Sequence, residues 1–101
     1  MTKMTDPRLM LLSPRDSVYI LREQIIAGEA VMVEGVAVAF AQALGLGHKI
    51  ARSSIAMGDR VIKYGAPIGR ASRAIALGDH VHLHNLQSDY TPTYALNKGD
   101  T

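Results

Sequence analysis

The sequence predicts a mainly β domain, built from short strands joined by glycine turns. Three observations carry this. Apolar residues make up 48% of the 101-residue chain and aromatics only 5%, so the core rests on aliphatic side chains, of which Val and Ile suit strands. A pattern of aliphatic, two spacers, glycine, polar, any residue and aliphatic recurs along the chain. No long stretch places its apolar residues at helical spacing.

The recurring pattern runs from Ile25 to Val31, again from Ile55 to Val61 and from Ile75 to Val81, with a weaker copy from Leu44 to Ile50. Its glycines, Gly28, Gly47, Gly58 and Gly78, sit 19, 11 and 20 residues apart, so it is not a regular solenoid array. Each copy reads as a turn that precedes a strand, with the flanking aliphatics in the core.

The elements follow in chain order. Met1 to Pro7 reads as a flexible N-terminal tail. Leu9 to Leu12 and Val18 to Leu21 are strands around a turn at Ser13–Asp16. Val31–Val33 and Val36–Val38 flank Glu34-Gly35 as a hairpin. Val38 to Leu44 is alanine-rich and is the best helix candidate, of about two turns. Arg60 to Tyr64 alternates, and Gly65, Pro67 and Gly69 then mark a sharp corner and a restricted strand. His80 to Leu86 alternates most clearly, with His80, His82 and His84 on one face and Val81, Leu83 and Asn85 on the other. Gln87 to Thr101 is polar, contains Pro92 and reads as an extended C-terminal tail. One folded domain over residues 8–86 results.

Several function classes fall away. The absence of cysteine removes disulfides, zinc–thiolate sites, iron–sulfur clusters and thiol catalysis. A net charge of +2, with arginines spread from Arg8 to Arg73, argues against a nucleic-acid partner. No apolar run approaches the roughly 20 residues a membrane helix needs. The polar start lacks the apolar centre of a signal peptide, so a cytoplasmic protein is the expectation. The glycines near Gly65 match no phosphate loop, and Ser53, Ser54 and Ser72 lack the glycines of a nucleophile elbow.

The strongest chemical signal is Gly78-Asp79-His80-Val81-His82-Leu83-His84-Asn85. On a straight strand its three imidazoles project from one face at a spacing of roughly 6.8 Å. Imidazole is a common ligand for iron, zinc and manganese-type ions. A solvated polar face on an edge strand would carry the same row. His48-Lys49, after Gly47, is a second candidate: a lysine beside a histidine can bind a carboxylate, or act as a base if burial lowers its pKa. An exposed turn pair reads the same. Lys63 and Tyr64 near the corner are positioned to face a ligand.

Gly47-His48-Lys49, the run Ile62 to Gly69 (IKYGAPIG) and Gly78 to Asn85 (GDHVHLHN) occur in that order. Together they resemble the N-terminal part of altronate and galactarate dehydratases, an SAF-type domain with the β-clip fold. They are also similar to the small subunit of sulfolactate sulfo-lyase. The resemblance covers roughly Leu9 to Leu86. It implies a β-elimination lyase acting on a sugar acid or related hydroxy acid, dependent on a divalent metal, most readily Fe2+, with Mn2+ as the other candidate. It further implies a small subunit that works with a large catalytic subunit, with the Ser88–Tyr94 tail as a docking segment. Homo-oligomerisation is compatible with this. On that basis His82 and His84 are the expected metal ligands. His48 and His80 are the expected catalytic groups, and Lys49, Lys63, Tyr64 and Asn85 are the expected substrate contacts. SAF-like domains also resemble the caps of sialic acid synthases and antifreeze proteins, which leaves a non-catalytic sugar-acid or carbohydrate binding module as the alternative. Flagellar P-ring chaperones share the domain type, but an assembly role of that kind would expect a secretory signal.

Overall fold

The computed structural model describes residues 4–88. Among them there is no helix, and the elements are β1 (Leu9–Met10), β2 (Val18–Leu21), β3 (Ala30–Val33), β4 (Val36–Ala39), β5 (Lys49–Ala51), β6 (Arg60–Lys63), β7 (Ala66–Ala71), β8 (His80–Val81) and β9 (Leu86–Ser88). They pair antiparallel into a central sheet ordered β1-β2-β5-β8, a β3-β4 hairpin and a β6-β7-β9 sheet. The chain is mainly β, as its composition and turns predict.

The core is in two halves, one on each face of the central sheet. Tyr19 and Leu21 of β2 and Ile50 of β5 pack with Ile25, Val31, Val33, Phe40 and Leu44 on one side. Val18 and Ile20 of β2 and Ala51 of β5 pack with Ile55, Val61, Ala71, Ile75 and Val81 on the other. A strand buried on both faces needs apolar residues throughout, which is why Val18–Leu21 is a continuous run rather than an alternation.

The glycine turns resolve into two copies of one unit. Ile25 bridges Leu44 and Ile55 bridges Ile75. Gly28 N–H donates to Phe40 C=O and Gly58 N–H to Ala71 C=O, each at 2.8 Å. Gly47 N–H donates to Leu21 C=O at 2.9 Å and Gly78 N–H to Ala51 C=O at 2.8 Å. Ile25 and Ile55 lie 30 residues apart and Leu44 and Ile75 lie 31 apart. The extra residue is Ile68, where the β6–β7 register shifts between Val61 and Ile62. Each copy closes one half of the core, so the uneven glycine spacing hides a duplication.

Val38–Leu44 is not helical. Val38 and Ala39 pair with Val31 and Ala30, Phe40 is buried, and Leu44 is tied to Ile25, so sheet pairing and burial override the helix propensity of alanine. His80–Leu86 is not one strand either. β8 ends at Val81, residues 82–85 turn, and β9 begins at Leu86. The hairpin at Glu34-Gly35 and the corner at Tyr64-Gly65 form as read, with Glu34 at φ 51° and Tyr64 at φ 54° in the left-handed region. β1 stops at Met10, short of Leu12. β9 carries the ordered pairing to Ser88. The remaining tail, with residues 89–94 of the segment considered for docking, lies outside the described residues.

Candidate functional site

The site is an imidazole cluster at the β5–β8 edge of the central sheet. β5 pairs with β8 so that Lys49 faces Val81 and Ile50 faces His80. This brings the turn residue His48 against the histidines that follow Gly78. The His48 and His80 ring centroids are 5.0 Å apart, and His48 and His82 are 5.9 Å apart. His80 stacks on His82 at 5.4 Å with an interplanar angle of 9° and lies 5.6 Å from His84. All four histidines of the chain therefore share one patch, although 31 residues separate His48 from Asp79, the first residue of the second segment after its glycine.

Local hydrogen bonds hold each part. His48 C=O accepts from Leu21 N–H at 2.9 Å, which locks the first histidine to β2. Asp79 Oδ2 accepts from Ala76 N–H at 2.9 Å and closes the turn before His80. Beyond Val81 the chain reverses around Asn85, which is 4% exposed. Its Nδ2 donates to His80 C=O at 2.8 Å and its Oδ1 accepts from His82 N–H at 2.9 Å. Asn85 N–H and Leu86 N–H both donate back to His82 C=O. The row of three histidines expected on a straight strand is thus replaced by a turn that folds His82 and His84 back over His80. Asn85, expected at the substrate, has its carboxamide committed to building that turn.

The histidines touch one another through nitrogen as well as through ring faces. His48 Nδ1 and His80 Nε2 are 3.0 Å apart, and His80 Nδ1 lies 3.4 Å from Gln42 Nε2. Burial, and then the neighbouring His48, His82, His84 and Lys49, push the His80 pKa down to about 4. His80 is therefore uncharged at neutral pH. Lys49, half-buried beside it, is held below the ordinary lysine value by burial and then by Lys63. Lys63 ends β6, and Tyr64 stands exposed on the adjoining turn. On the far side of His80 a cleft of about 360 Å³ opens, with Val38, Phe40, Gln42, Arg73, His80 and His84 in its wall.

Among the described residues, no three histidine, aspartate or glutamate side chains are arranged to hold a metal ion. The geometry gives the reason. His48 and His80 turn nitrogens toward each other, and His80 and His82 stack face to face, so their lone pairs do not converge. His82 and His84 are the exposed pair, and an ion they bound would need further ligands from outside this chain.

The sequence reading found His48, Lys49, Lys63, Tyr64, His80, His82 and His84, and the fold gathers the imidazoles and the two lysines. It missed Gln42 and Arg73. Gln42 carried a signal: it is the polar residue in the alanine-rich run Ala37 to Ala43. Arg73 carried none.

Residues 7–89 match the family described as Altronate/galactarate dehydratase SAF domain. An altronate dehydratase from Bacillus subtilis (strain 168) is 36% identical over 91 residues, covering 82% of this chain and 18% of that protein. An altronate dehydratase from Escherichia coli (strain K12) is 42% identical over 74 residues, 73% of this chain and 15% of the relative. A (2R)-sulfolactate sulfo-lyase subunit alpha from Chromohalobacter salexigens is 44% identical over 46 residues, 46% of this chain and 49% of the relative. The chain spans under a fifth of either altronate dehydratase and about half of the sulfo-lyase subunit. No helix among the described residues is long and apolar enough to cross a membrane. The chain belongs to the altronate/galactarate dehydratase SAF domain family.

Proposed function

We propose that this SAF domain is one half of a composite reaction centre, the small subunit of a cytoplasmic lyase whose larger catalytic part completes the site. The reaction is β-elimination on a sugar acid or a related hydroxy acid. One observation carries the reading. Two segments, Gly47–Lys49 and His80–Asn85, converge into a single imidazole patch beside Lys49 and Lys63. The family and the names of the relatives point to the same class of chemistry.

In such an elimination a proton leaves the carbon beside the carboxylate. Its electron pair forms a carbon–carbon double bond, and the carbon–oxygen (or carbon–sulfur) bond on the next carbon breaks to release hydroxide or sulfite. That proton is weakly acidic, so the enolate charge that develops on the carboxylate needs strong electrostatic stabilisation. In this reading Lys49 and Lys63 hold the carboxylate, with Tyr64 at the rim of the site. Partial burial of Lys49 strengthens its field at that carboxylate. His48 hydrogen-bonds the oxygen on which charge develops, while His80 supports His48 from behind and Asn85 holds the turn that carries His82 and His84. His82 and His84, with ligands from the larger part, would hold a divalent ion such as Fe2+ or Mn2+, and that ion would supply Lewis-acid chemistry.

The test is turnover of the assembled enzyme with His48→Ala and His82→Ala variants of this chain. Each is expected to lose about 100-fold or more in kcat, the range for a positioned acid, base or charge-stabilising group, with an unchanged urea midpoint. The isolated chain is expected to show no turnover. Normal turnover of both variants defeats the site, and turnover by the isolated chain defeats the composite centre. If the domain is instead a binding module, sugar-acid binding persists with no metal dependence and no catalytic loss.

A further inference from the structure

We propose that Gln42 is a positioning residue that sets the tautomers of His80 and His48, so that His48 presents an N–H donor and not a bare nitrogen. Gln42 Nε2 lies 3.4 Å from His80 Nδ1, and His80 Nε2 lies 3.0 Å from His48 Nδ1. A carboxamide nitrogen donates and has no lone pair to accept with, so His80 Nδ1 is the acceptor. With Nδ1 accepting, the ring proton of His80 sits on Nε2. That N–H donates to His48 Nδ1. His48 is left with its own proton on Nε2, the nitrogen away from the relay.

The consequence is a division of labour. His48 in this tautomer donates from Nε2 to an oxygen that gains negative charge and does not take up a proton there. The group that removes the carbon-bound proton is therefore not His48. Gln42 reaches His80 from the loop after β4, in the first copy of the duplicated unit, whereas His80 lies in the second. The relay therefore runs between the two copies. The assignment of His48 to substrate rests on the lyase reading above, but the proton placement does not.

The experiment reads tautomers directly, by long-range proton–nitrogen correlation spectra of the ¹⁵N-labelled full chain at alkaline pH. In the native sequence both His80 and His48 are expected with the proton on Nε2 and a bare Nδ1. Gln42→Glu replaces the donor with a carboxylate, which only accepts. His80 Nδ1–H then donates to Glu, and His48 Nδ1–H donates to His80 Nε2. Both tautomers are expected to invert, and His48 Nε2 becomes bare. Gln42→Leu is expected to leave His80 as a mixture. A native His48 with a bare Nε2, or an unchanged pair in Gln42→Glu, overturns the proposal. A merely structural Gln42 would move the urea midpoint and leave the tautomers alone. If the lyase reading fails while the relay is right, His48→Ala turns over normally in the assembled enzyme although the spectra follow the pattern above.

Discussion

Asn85 shows how one side chain can shape a site without belonging to its chemistry. Its carboxamide satisfies His80 C=O and His82 N–H, two backbone groups that the end of β8 would otherwise strand. Asn85→Ala is expected to cost about 1–3 kcal/mol, the range for unpaired buried polar groups. A fall in the urea midpoint would show this, with faster amide exchange at His82; an unchanged midpoint would count against the role. Tyr19 offers a second single-residue test. Its hydroxyl donates to Glu34, and burial, followed by that carboxylate, raises its pKa above the ordinary 10.0. In the unfolded chain the phenol ionises near 10, earlier than in the folded one. The stabilising contribution is therefore complete below pH 10 and is lost as pH climbs through the raised folded value. Urea midpoints measured across and above pH 10 are expected to fall, and Tyr19→Phe is expected to flatten that slope. At this scale the sequence showed which side chains carry chemistry, because three imidazoles in five residues is a local pattern. It did not show Arg73, which only the fold brings to the cleft, or the commitment of Asn85 to the backbone of His80 and His82, because Asn85 also fits an alternating strand.

At the scale of elements, two glycines mark where strands and turns approach too closely for any side chain. A Cβ on Gly69 would collide with Gln87 C=O, in the pairing of β7 with β9. A Cβ on Gly78 would meet Val38 Cγ1 at 2.7 Å, and its φ of +84° is left-handed. Gly69→Ala is expected to cost about 1–3 kcal/mol by overpacking, and to loosen β9 first because the obstruction is backbone. Gly78→Ala adds a conformational cost of about 1–2 kcal/mol to a side-chain clash, and it disturbs the turn that sets His80. Denaturation midpoints with amide exchange at Ser88 and His80 distinguish the two; equal protection at both sites in both variants would contradict this. The Glu34-Gly35 hairpin was legible because its turn chemistry is local. The alanine-rich run was misread because alanine propensity is weak and β3 supplies a pairing partner that no sequence window contains. The His80–Leu86 alternation was misread for a different reason: Asn85 closes a local turn inside it.

At the scale of the whole molecule, β2 is the shared wall of both core halves. Leu21→Ala and Val18→Ala act on opposite faces, at side chains 1% and 0% exposed. Leu21→Ala is expected to cost about 2–5 kcal/mol and the smaller Val18 truncation somewhat less. Each variant should still unfold in one transition, because neither half keeps its core without the common strand. Tyrosine fluorescence, from Tyr19 on the first side, and exchange at Val61 on the second should give the same midpoint. Separate midpoints would mean that the two copies fold as independent units.

By itself the sequence determined the class of fold, the recurring glycine turns, the hairpins and the identity of the imidazole and lysine groups. All of these follow from residue types within a few positions of one another. Only the tertiary structure decided that four irregularly spaced turns are two copies of one unit and that His48 meets His80. It also decided that the histidine row bends into a cluster and that Gln42 reaches it. The bend is closed locally by Asn85; the others depend on antiparallel pairing between segments some 30 residues apart, and long-range register is set by which faces can be buried together.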